Sequence, residues 1–370
     1  MRVALNLSFL APGETGGMEV YARELARALA GRDDLELVLL ANRLLDEGWP
    51  EVERIGMPVD PRRRIEWVLG DQVHAPRAAT RARADVVHSL ASTGPATGRV
   101  VRVTTIHDLN YKLVPDTHFG VRGLGMRVLV PLAARRSHRL IVDAESTRDD
   151  LSRHLGTPRE KVDVAPLAAR VPSDPAVTPE RELRARLELG ERPLVLSLSA
   201  KRPHKNLARL FRALGALEPN RRPMLIVPGY PTPYEEELRR LASRLGIAEL
   251  VRMPPWLHPA DLEGLYRAAA CVVFPSLYEG FGLPVLEAMV RGVPVACSNR
   301  SSLPEVAGEA ALLFDPEDVG AIRSALERLL TDRSLAERLR VAGRERAATF
   351  TWERTAELTV ACYERALRVR

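Results

Sequence analysis

The chain has little cysteine: only Cys271, Cys297 and Cys362 in 370 residues, far apart. No C-x-x-C pair occurs, which excludes a zinc knuckle and a disulfide framework and fits a reducing, cytoplasmic setting. Long apolar runs are missing as well. Stretches such as Val128–Ala134 fall far short of the roughly eighteen residues a membrane-spanning helix needs. Met1–Ala11 is apolar but interrupted by Asn6 and Ser8, so it reads as a first buried strand, not a signal peptide. Aromatic residues make up 5% of the chain and form no stripe among basic residues. Zinc-finger spacing and RNA-recognition signatures are absent too, so nucleic acid is not an expected partner. No complete G-x-G-x-x-G follows the first apolar run, which argues against a nicotinamide cofactor.

What remains is an ordinary globular composition, 46% hydrophobic and 28% charged. The length suits two to three domains at about 150 residues each. Net charge is +6, unevenly spread: residues 60–140 hold fourteen Lys/Arg against six Asp/Glu, so the rest of the chain sums to −2. That basic excess (Arg62, Arg63, Arg64, Arg77, Arg81, Arg83, Arg122, Arg127, Arg135, Arg136 and Arg139 among it) suits either a solvated face or contact with a phosphorylated or membrane surface.

Short apolar runs alternate with helical patterns. Expected strands are 3–6, 35–40, 86–90, 101–106, 139–142, 161–165, 194–198, 224–227, 250–253, 271–274, 293–296 and 311–314. They lack strict alternation, as strands covered on both faces do. Helical periods fall at 19–29, 146–155, 206–217, 233–245, 262–269 and 284–291, and three more close the chain at 317–330, 334–347 and 352–367. This is an α/β pattern with parallel sheets. It breaks once, at the proline-rich segment Pro166–Pro179, which reads as a linker. The expected organisation is therefore one doubly wound domain over 1–170, a second over 171–350, and a final helix over 351–370 that could stay on the second domain but is expected to return to the first. Two such domains imply a cleft, with ligands at the carboxyl ends of strands.

Four stretches just after strands carry candidate chemistry. Gly16 and Gly17 precede a helix, where bare backbone N–H groups can approach an anion, although on their own they favour a plain turn. His107-Asp108 ends a strand; His107 can donate to a substrate hydroxyl or phosphate, with Asp108 fixing its tautomer or capping the next segment, although the pair by itself favours a capping or core histidine. Lys201, Arg202, His204 and Lys205 crowd a helix start, which the helix dipole disfavours unless they share an anion there. The most specific stretch is Phe274–Met289: a strand, then Glu279, Gly280, Phe281, Gly282, Leu283, a first-turn Pro284, and Glu287 one turn into the helix. Backbone N–H groups of 280–283 suit a diphosphate, and two flanking carboxylates suit hydroxyls on either side of it. A nucleotide sugar has that chemistry.

With Glu279 and Glu287 seven residues apart in this pattern, together with Ser301–Gly308, Ala310–Pro316, Gly16-Gly17, His107-Asp108 and Lys205-Asn206, the chain resembles the retaining glycosyltransferases of family 4. The resemblance spans nearly the whole chain. It implies the GT-B fold, two Rossmann-like domains facing each other across a cleft, with acceptor on the first and donor on the second. It implies that Glu287 binds the donor ribose, Glu279 contacts the transferred sugar, residues 280–283 hold sugar hydroxyls and diphosphate, Lys205 balances diphosphate charge, Gly17 approaches that group, and His107 donates to a sugar hydroxyl. Trp256 and Leu257 fall on the loop that meets the nucleobase, and Ser302–Glu305 opens a segment near the donor. One departure stands out: Leu198 and Ser199 occupy the places of a common Gly-Arg pair, leaving Lys201 or Arg202 as the second cation.

No D-x-D occurs, and a cationic loop can take a metal's place, so no metal and no cofactor are expected. The expected reaction moves a sugar from a nucleoside-diphosphate sugar to a hydroxyl of a glycan or lipid-linked glycan, in polysaccharide biosynthesis. The expected setting is the cytoplasm or the inner face of an anionic membrane, met through residues 60–140. Within that region 120–136 mixes apolar residues and arginines, as either an interfacial helix or a core helix would. Two alternatives share the architecture: a nucleotide-sugar epimerase, which needs no acceptor, and a non-catalytic nucleotide-sugar-binding subunit.

Overall fold

The computed structural model describes residues 1–115, 121–169 and 176–369, with the side chains of 121–124 left aside. The chain divides into two compact units, Met1–Leu167 with Phe350–Arg370, and Ala168–Thr349. Part of the expected linker, residues 170–175, lies outside the described residues.

The first unit is a seven-stranded sheet. Its strands are β1 (Arg2–Asn6), β2 (Glu36–Ala41), β3 (Glu53–Gly56), β4 (Val86–Ser89), β5 (Val101–Thr105), β6 (Arg139–Val142) and β7 (Val162–Val164). They run in the order β3-β2-β1-β4-β5-β6-β7, every pair parallel. The second unit has six strands, β8 (Leu194–Leu196), β9 (Met224–Ile226), β10 (Val251–Arg252), β11 (Ala269–Phe274), β12 (Val295–Ser298) and β13 (Leu312–Phe314), in the order β10-β9-β8-β11-β12-β13 and again all parallel. In both sheets the strand order reverses beside the first strand, between β1 and β4 and between β8 and β11. These reversals are where adjacent connections leave to opposite faces and open a crevice at the carboxyl edge.

The apolar runs become strands because both faces are covered. In the second unit Val195, Leu225 and Val273 pack among Phe211, Leu214, Leu238, Ile322 and Leu326 from the flanking helices. In the first, Ala4, Val38 and Val87 lie against Ala75 and Ala79 at one end of the sheet, while Ile106, Leu140 and Val162 lie with Val130, Ala134 and Leu151 at the other. Every expected strand is present; β3 is an addition. It is an edge strand, Glu-Arg-Ile-Gly, largely exposed and too polar for the apolar pattern to reveal.

The segment 64–81 is helical but not uniformly so. A helix Arg64–Leu69 runs into a π-helical turn Gly70–His74 and on into Ala75–Arg81, with Pro76 in its first turn. Gly70 makes this possible: a Cβ there would sit 3.0 Å from the Ser8 side chain and 3.1 Å from that of Val59. Within Val121–Arg136, Val130, Ala133 and Ala134 are buried whereas Arg127, Val128, Arg135 and Arg136 are exposed, so its described half packs as a core helix with a basic outer face. Gly120 lies outside the described residues.

The last helix, Trp352–Arg368, belongs to the first unit. Cys362, Tyr363 and Ala366 are fully buried. Tyr363 shares a 2.7 Å hydrogen bond with His88 Nδ1, whose Nε2 meets Thr105 Oγ1 at 2.7 Å, and Tyr21 Oη reaches the same hydroxyl at 2.9 Å. Burial pushes the His88 imidazole down to about 3, so it is neutral and one ring nitrogen donates while the other accepts. At the outer end, Arg365 pairs with Asp163 at 2.8 Å, beside the Arg139–Asp163 pair at 2.6 Å.

Candidate functional site

The reversal between β8 and β11 brings together two loops about seventy residues apart in sequence. After β8 the chain passes through a tight turn, Pro203–Lys205, and Asn206 takes a left-handed conformation at φ 58° before the helix Leu207–Gly215. Asn206 tolerates that region better than most residues, and its amide fixes the site: Nδ2 donates to the Pro275 carbonyl at 3.0 Å and the Pro316 carbonyl at 2.7 Å. Leu277 N–H donates to the His204 carbonyl at 2.8 Å, tying the β11 loop to the β8 loop.

Across this junction Lys205 Nζ meets Glu279 Oε1 at 2.6 Å, the two side chains 17% and 12% exposed. The ammonium also lies 5.5 Å from the Phe274 ring centre, a cation–π distance. Glu279 is held from its backbone: its N–H donates to Ser301 Oγ at 2.9 Å, and Ser302 Oγ donates to the carbonyl of Phe281 at 2.8 Å. Gly282 turns the chain into the helix Leu283–Val290 at φ 108°, where a Cβ would come within 2.6 Å of Leu303. Glycine is required there on both counts.

Glu287, one turn into that helix, accepts a hydrogen bond from Tyr266 Oη at 3.1 Å. Burial raises the Glu287 carboxyl above the ordinary range, and Arg291 and the Tyr266 hydroxyl offset this only in part. Arg291 lies over the Tyr266 ring at 4.6 Å and pairs with Glu263 at 2.8 Å. Tyr266 and Ser301 are contacts the sequence reading does not assign. Each sits some twenty residues from the glutamate it holds, Tyr266 by the Glu287 carboxylate and Ser301 by the Glu279 backbone, and only the hydrogen bonds reveal them.

Lys201 departs from its expected place beside Lys205. It is fully buried, and its Nζ donates to the carbonyls of Gly229 at 2.5 Å and Pro254 at 2.8 Å, on the loops after β9 and β10. Its ammonium is therefore committed to backbone carbonyls. Arg202 is half-buried on the turn before Pro203. Trp256 is 63% exposed and stacks on Tyr230 at 5.1 Å between ring centres, with Leu257 half-buried next to it.

The first unit gathers its own polar residues at the carboxyl edge. Gly16, at φ 58°, precedes the helix Gly17–Ala30, and nothing lies within 4 Å of where its Cβ would be. The loop before it is closed by Gly13 N–H donating to Glu19 at 2.8 Å. His107 follows β5 with both ring nitrogens engaged, Nδ1 with Asp143 at 2.7 Å and Nε2 with the Leu90 carbonyl at 2.8 Å, while Tyr21 packs edge-on at 4.9 Å. Burial alone would push the His107 imidazole down, but the Asp143 carboxylate and the Leu90 carbonyl outweigh it and hold it above the ordinary histidine value. Asp143, not Asp108, orients the ring; Asp108 caps the next segment by accepting from Asn110 N–H at 2.9 Å. Between β1 and β4 lies a cluster that sequence reasoning does not find. Buried Asp71, on the π-helical turn, accepts from Asn6 Nδ2 at 2.7 Å, Ser8 Oγ at 2.6 Å and the Thr93 hydroxyl.

Two doubly wound parallel sheets, each presenting polar side chains at its carboxyl edge, define an α/β fold of the GT-B kind. Comparison with known proteins specifies it. Residues 15–169 match the model described as Glycosyltransferase Family 4, and residues 179–346 match Glycosyl transferases group 1. The chain is 33% identical over 267 residues to the O-antigen chain mannosyltransferase B of Escherichia coli, covering 71% of this chain and 70% of that one. It is 28% identical to the MMP alpha-(1->4)-mannosyltransferase of Mycolicibacterium hassiacum, covering 99% and 98%. Among solved structures, sucrose-phosphate synthase from Thermosynechococcus elongatus superposes with a TM-score of 0.77 at 22% identity over 100% of both chains. Anabaena Alr3699/HepE, crystallised with UDP and glucose, does so with 0.72 at 20% identity over 98% of both. The chain belongs to glycosyltransferase family 4, has the GT-B fold, and is a glycosyltransferase. No helix among the described residues is long and apolar enough to cross a membrane.

Proposed function

We propose that this enzyme transfers a sugar from a nucleoside-diphosphate sugar to a hydroxyl of a glycan or lipid-linked glycan, retaining the anomeric configuration and using no metal. The observation that carries the reading is the Lys205–Glu279 pair at the β8/β11 reversal, with Glu287 one turn into the helix behind Gly280, Phe281, Gly282 and Leu283. In this reading the diphosphate competes with Glu279 for the Lys205 ammonium. As it does, the Glu279 carboxylate is released toward the transferred sugar, and Glu287 accepts from the ribose hydroxyls. When the anomeric C–O bond breaks, negative charge grows on the diphosphate, where Lys205 and the backbone N–H groups at the helix start stabilise it.

In this reading the acceptor hydroxyl attacks from the face the diphosphate leaves, a donor phosphate oxygen takes the acceptor proton, and the freed Glu279 carboxylate stabilises the positive charge that grows at the anomeric carbon. His107, Gly16 and Gly17 belong to the first unit, which we assign to the acceptor. Because both His107 ring nitrogens are engaged, donation to a sugar hydroxyl requires the Leu90 carbonyl to give up Nε2.

Exposed Ile65 and Leu69 on the helix Arg64–Leu69, beside Arg62, Arg63 and Arg64, support contact of the first unit with an anionic surface on the cytoplasmic side. Part of that charge is already neutralised, Arg62 by Glu14 and Arg63 by Glu66. The mannosyltransferase relatives make mannose the first donor sugar to try. Nucleotide release from GDP-mannose and from UDP-, ADP- and dTDP-sugars, with and without EDTA, tests the reading. Turnover of one donor unaffected by EDTA is expected. Turnover abolished by EDTA would overturn the metal-free route. Failure to bind or turn over any donor would overturn the donor assignment.

A further inference from the structure

Lys201 carries a charge that the reaction just described does not use. Among the described residues no carboxylate is in hydrogen-bond contact with its ammonium, which is fully buried, an arrangement that costs stability unless the donors are satisfied. Two of them are, by the Gly229 and Pro254 carbonyls. The Lys201 backbone joins the same junction: its N–H donates to the Tyr230 carbonyl at 3.3 Å, and its carbonyl accepts from the Thr232 hydroxyl. Gly229 N–H donates to the Pro254 carbonyl at 3.2 Å, so that one carbonyl serves two donors. Three loops, after β8, β9 and β10, thus meet at one side chain. Two of them carry the rings that stack, Tyr230 and Trp256, whose planes lie 27° apart.

Trp256 is exposed and Tyr230 half-buried, in a chain with few aromatic residues, and an unsupported surface tryptophan samples many rotamers. Here the platform stands in the same loop system as Lys205, four residues along the chain from Lys201. A cationic pole and a flat π-face on neighbouring loops match the two ends of a nucleoside diphosphate.

We propose that Lys201 is a positioning residue for nucleotide recognition: by tying the Gly229 and Pro254 loops together it preforms the Tyr230–Trp256 face on which the donor's base lies. The inference rests on assigning the donor to the second unit, and its test separates the two. Calorimetric titration with UDP, GDP and ADP reads base plus diphosphate; titration with inorganic pyrophosphate reads the Lys205 pole alone. Trp256→Ala and Lys201→Met should each weaken nucleoside-diphosphate binding about tenfold and leave pyrophosphate affinity unchanged. Combined, they should cost little more than either alone, because both remove one platform.

Trp256→Ala reads the platform whether or not Lys201→Met folds. Unchanged nucleotide affinity in Trp256→Ala, or in Lys201→Met protein with a wild-type circular-dichroism spectrum, overturns the proposal. Wild-type protein that binds neither nucleotide nor pyrophosphate overturns the donor assignment instead.

Discussion

Replacing Lys205 with methionine keeps the length of the side chain and removes its charge. In the folded protein this strands the Glu279 carboxylate, 12% exposed, with its backbone still fixed by Ser301. Fully exposed pairs contribute about 0–1 kcal/mol, whereas breaking a buried pair costs about 3–5 kcal/mol. A pair with exposures of 17% and 12% falls between, so Lys205→Met should destabilise the second unit by about 2 kcal/mol. For a unit of this size that lowers its thermal midpoint by about 4–8 °C. Loss of the cation facing the leaving diphosphate should slow turnover about 10²- to 10³-fold. The informative variant is the double one. Lys205→Met with Glu279→Gln removes both charges, so no carboxylate is stranded and the midpoint should return to within a few degrees of wild type, while turnover stays low. Thermal unfolding by circular dichroism, run beside nucleotide release from the preferred donor, reads both quantities. Wild-type turnover in Lys205→Met would refute the leaving-group role. A midpoint that stays depressed in the double variant would refute the stranded-charge account.

Further predictions concern stability and the loop junction. His88 is neutral in the folded state with its value near 3, against about 6.5 when unfolded, so the unfolded chain binds more protons between those values. First-unit stability from this residue is therefore present above pH 6.5 and lost on acidification, about 2 kcal/mol of it by pH 5; the slope of midpoint against pH over 5–6.5 should flatten in His88→Gln. Tyr363→Phe leaves a buried ring nitrogen of His88 without its partner and should cost about 1–3 kcal/mol, detected as earlier unfolding and faster proteolysis of the terminal helix. Gly229→Ala places a Cβ 2.3 Å from the Ser199 carbonyl at φ +146°. It should destabilise the second unit by about 1–3 kcal/mol and weaken nucleotide binding with it, whereas Gly16→Ala, with nothing within 4 Å, should strain only its own backbone.

Much of the fold is legible in the sequence because its causes are local. A strand covered on both faces must be a short apolar run, and β1, β2, β8 and β11 are such runs. A sharp entry into a helix needs a residue that tolerates positive φ followed by a first-turn proline, and Gly282 with Pro284 supplies both. Glu279 and Glu287 are recognisable by spacing, since one loop and one helix turn set their separation. The polar edge strand β3 and the interrupted helix around Gly70–His74 were not legible, because neither has an apolar period.

Tertiary structure alone decided the partnerships. Lys201 and Lys205 lie four residues apart and look equivalent as two cations before one helix. Packing buries the first among the carbonyls of two other loops and leaves the second facing Glu279. The terminal helix has an amphipathic pattern that would suit either unit. It lies on the first because its Tyr363 hydroxyl meets His88 and its Arg365 meets Asp163. Composition and period report what a residue prefers to be near in general, water or apolar surface. Which residue it meets depends on contacts tens to hundreds of positions apart, and those exist only once the strands have taken their order.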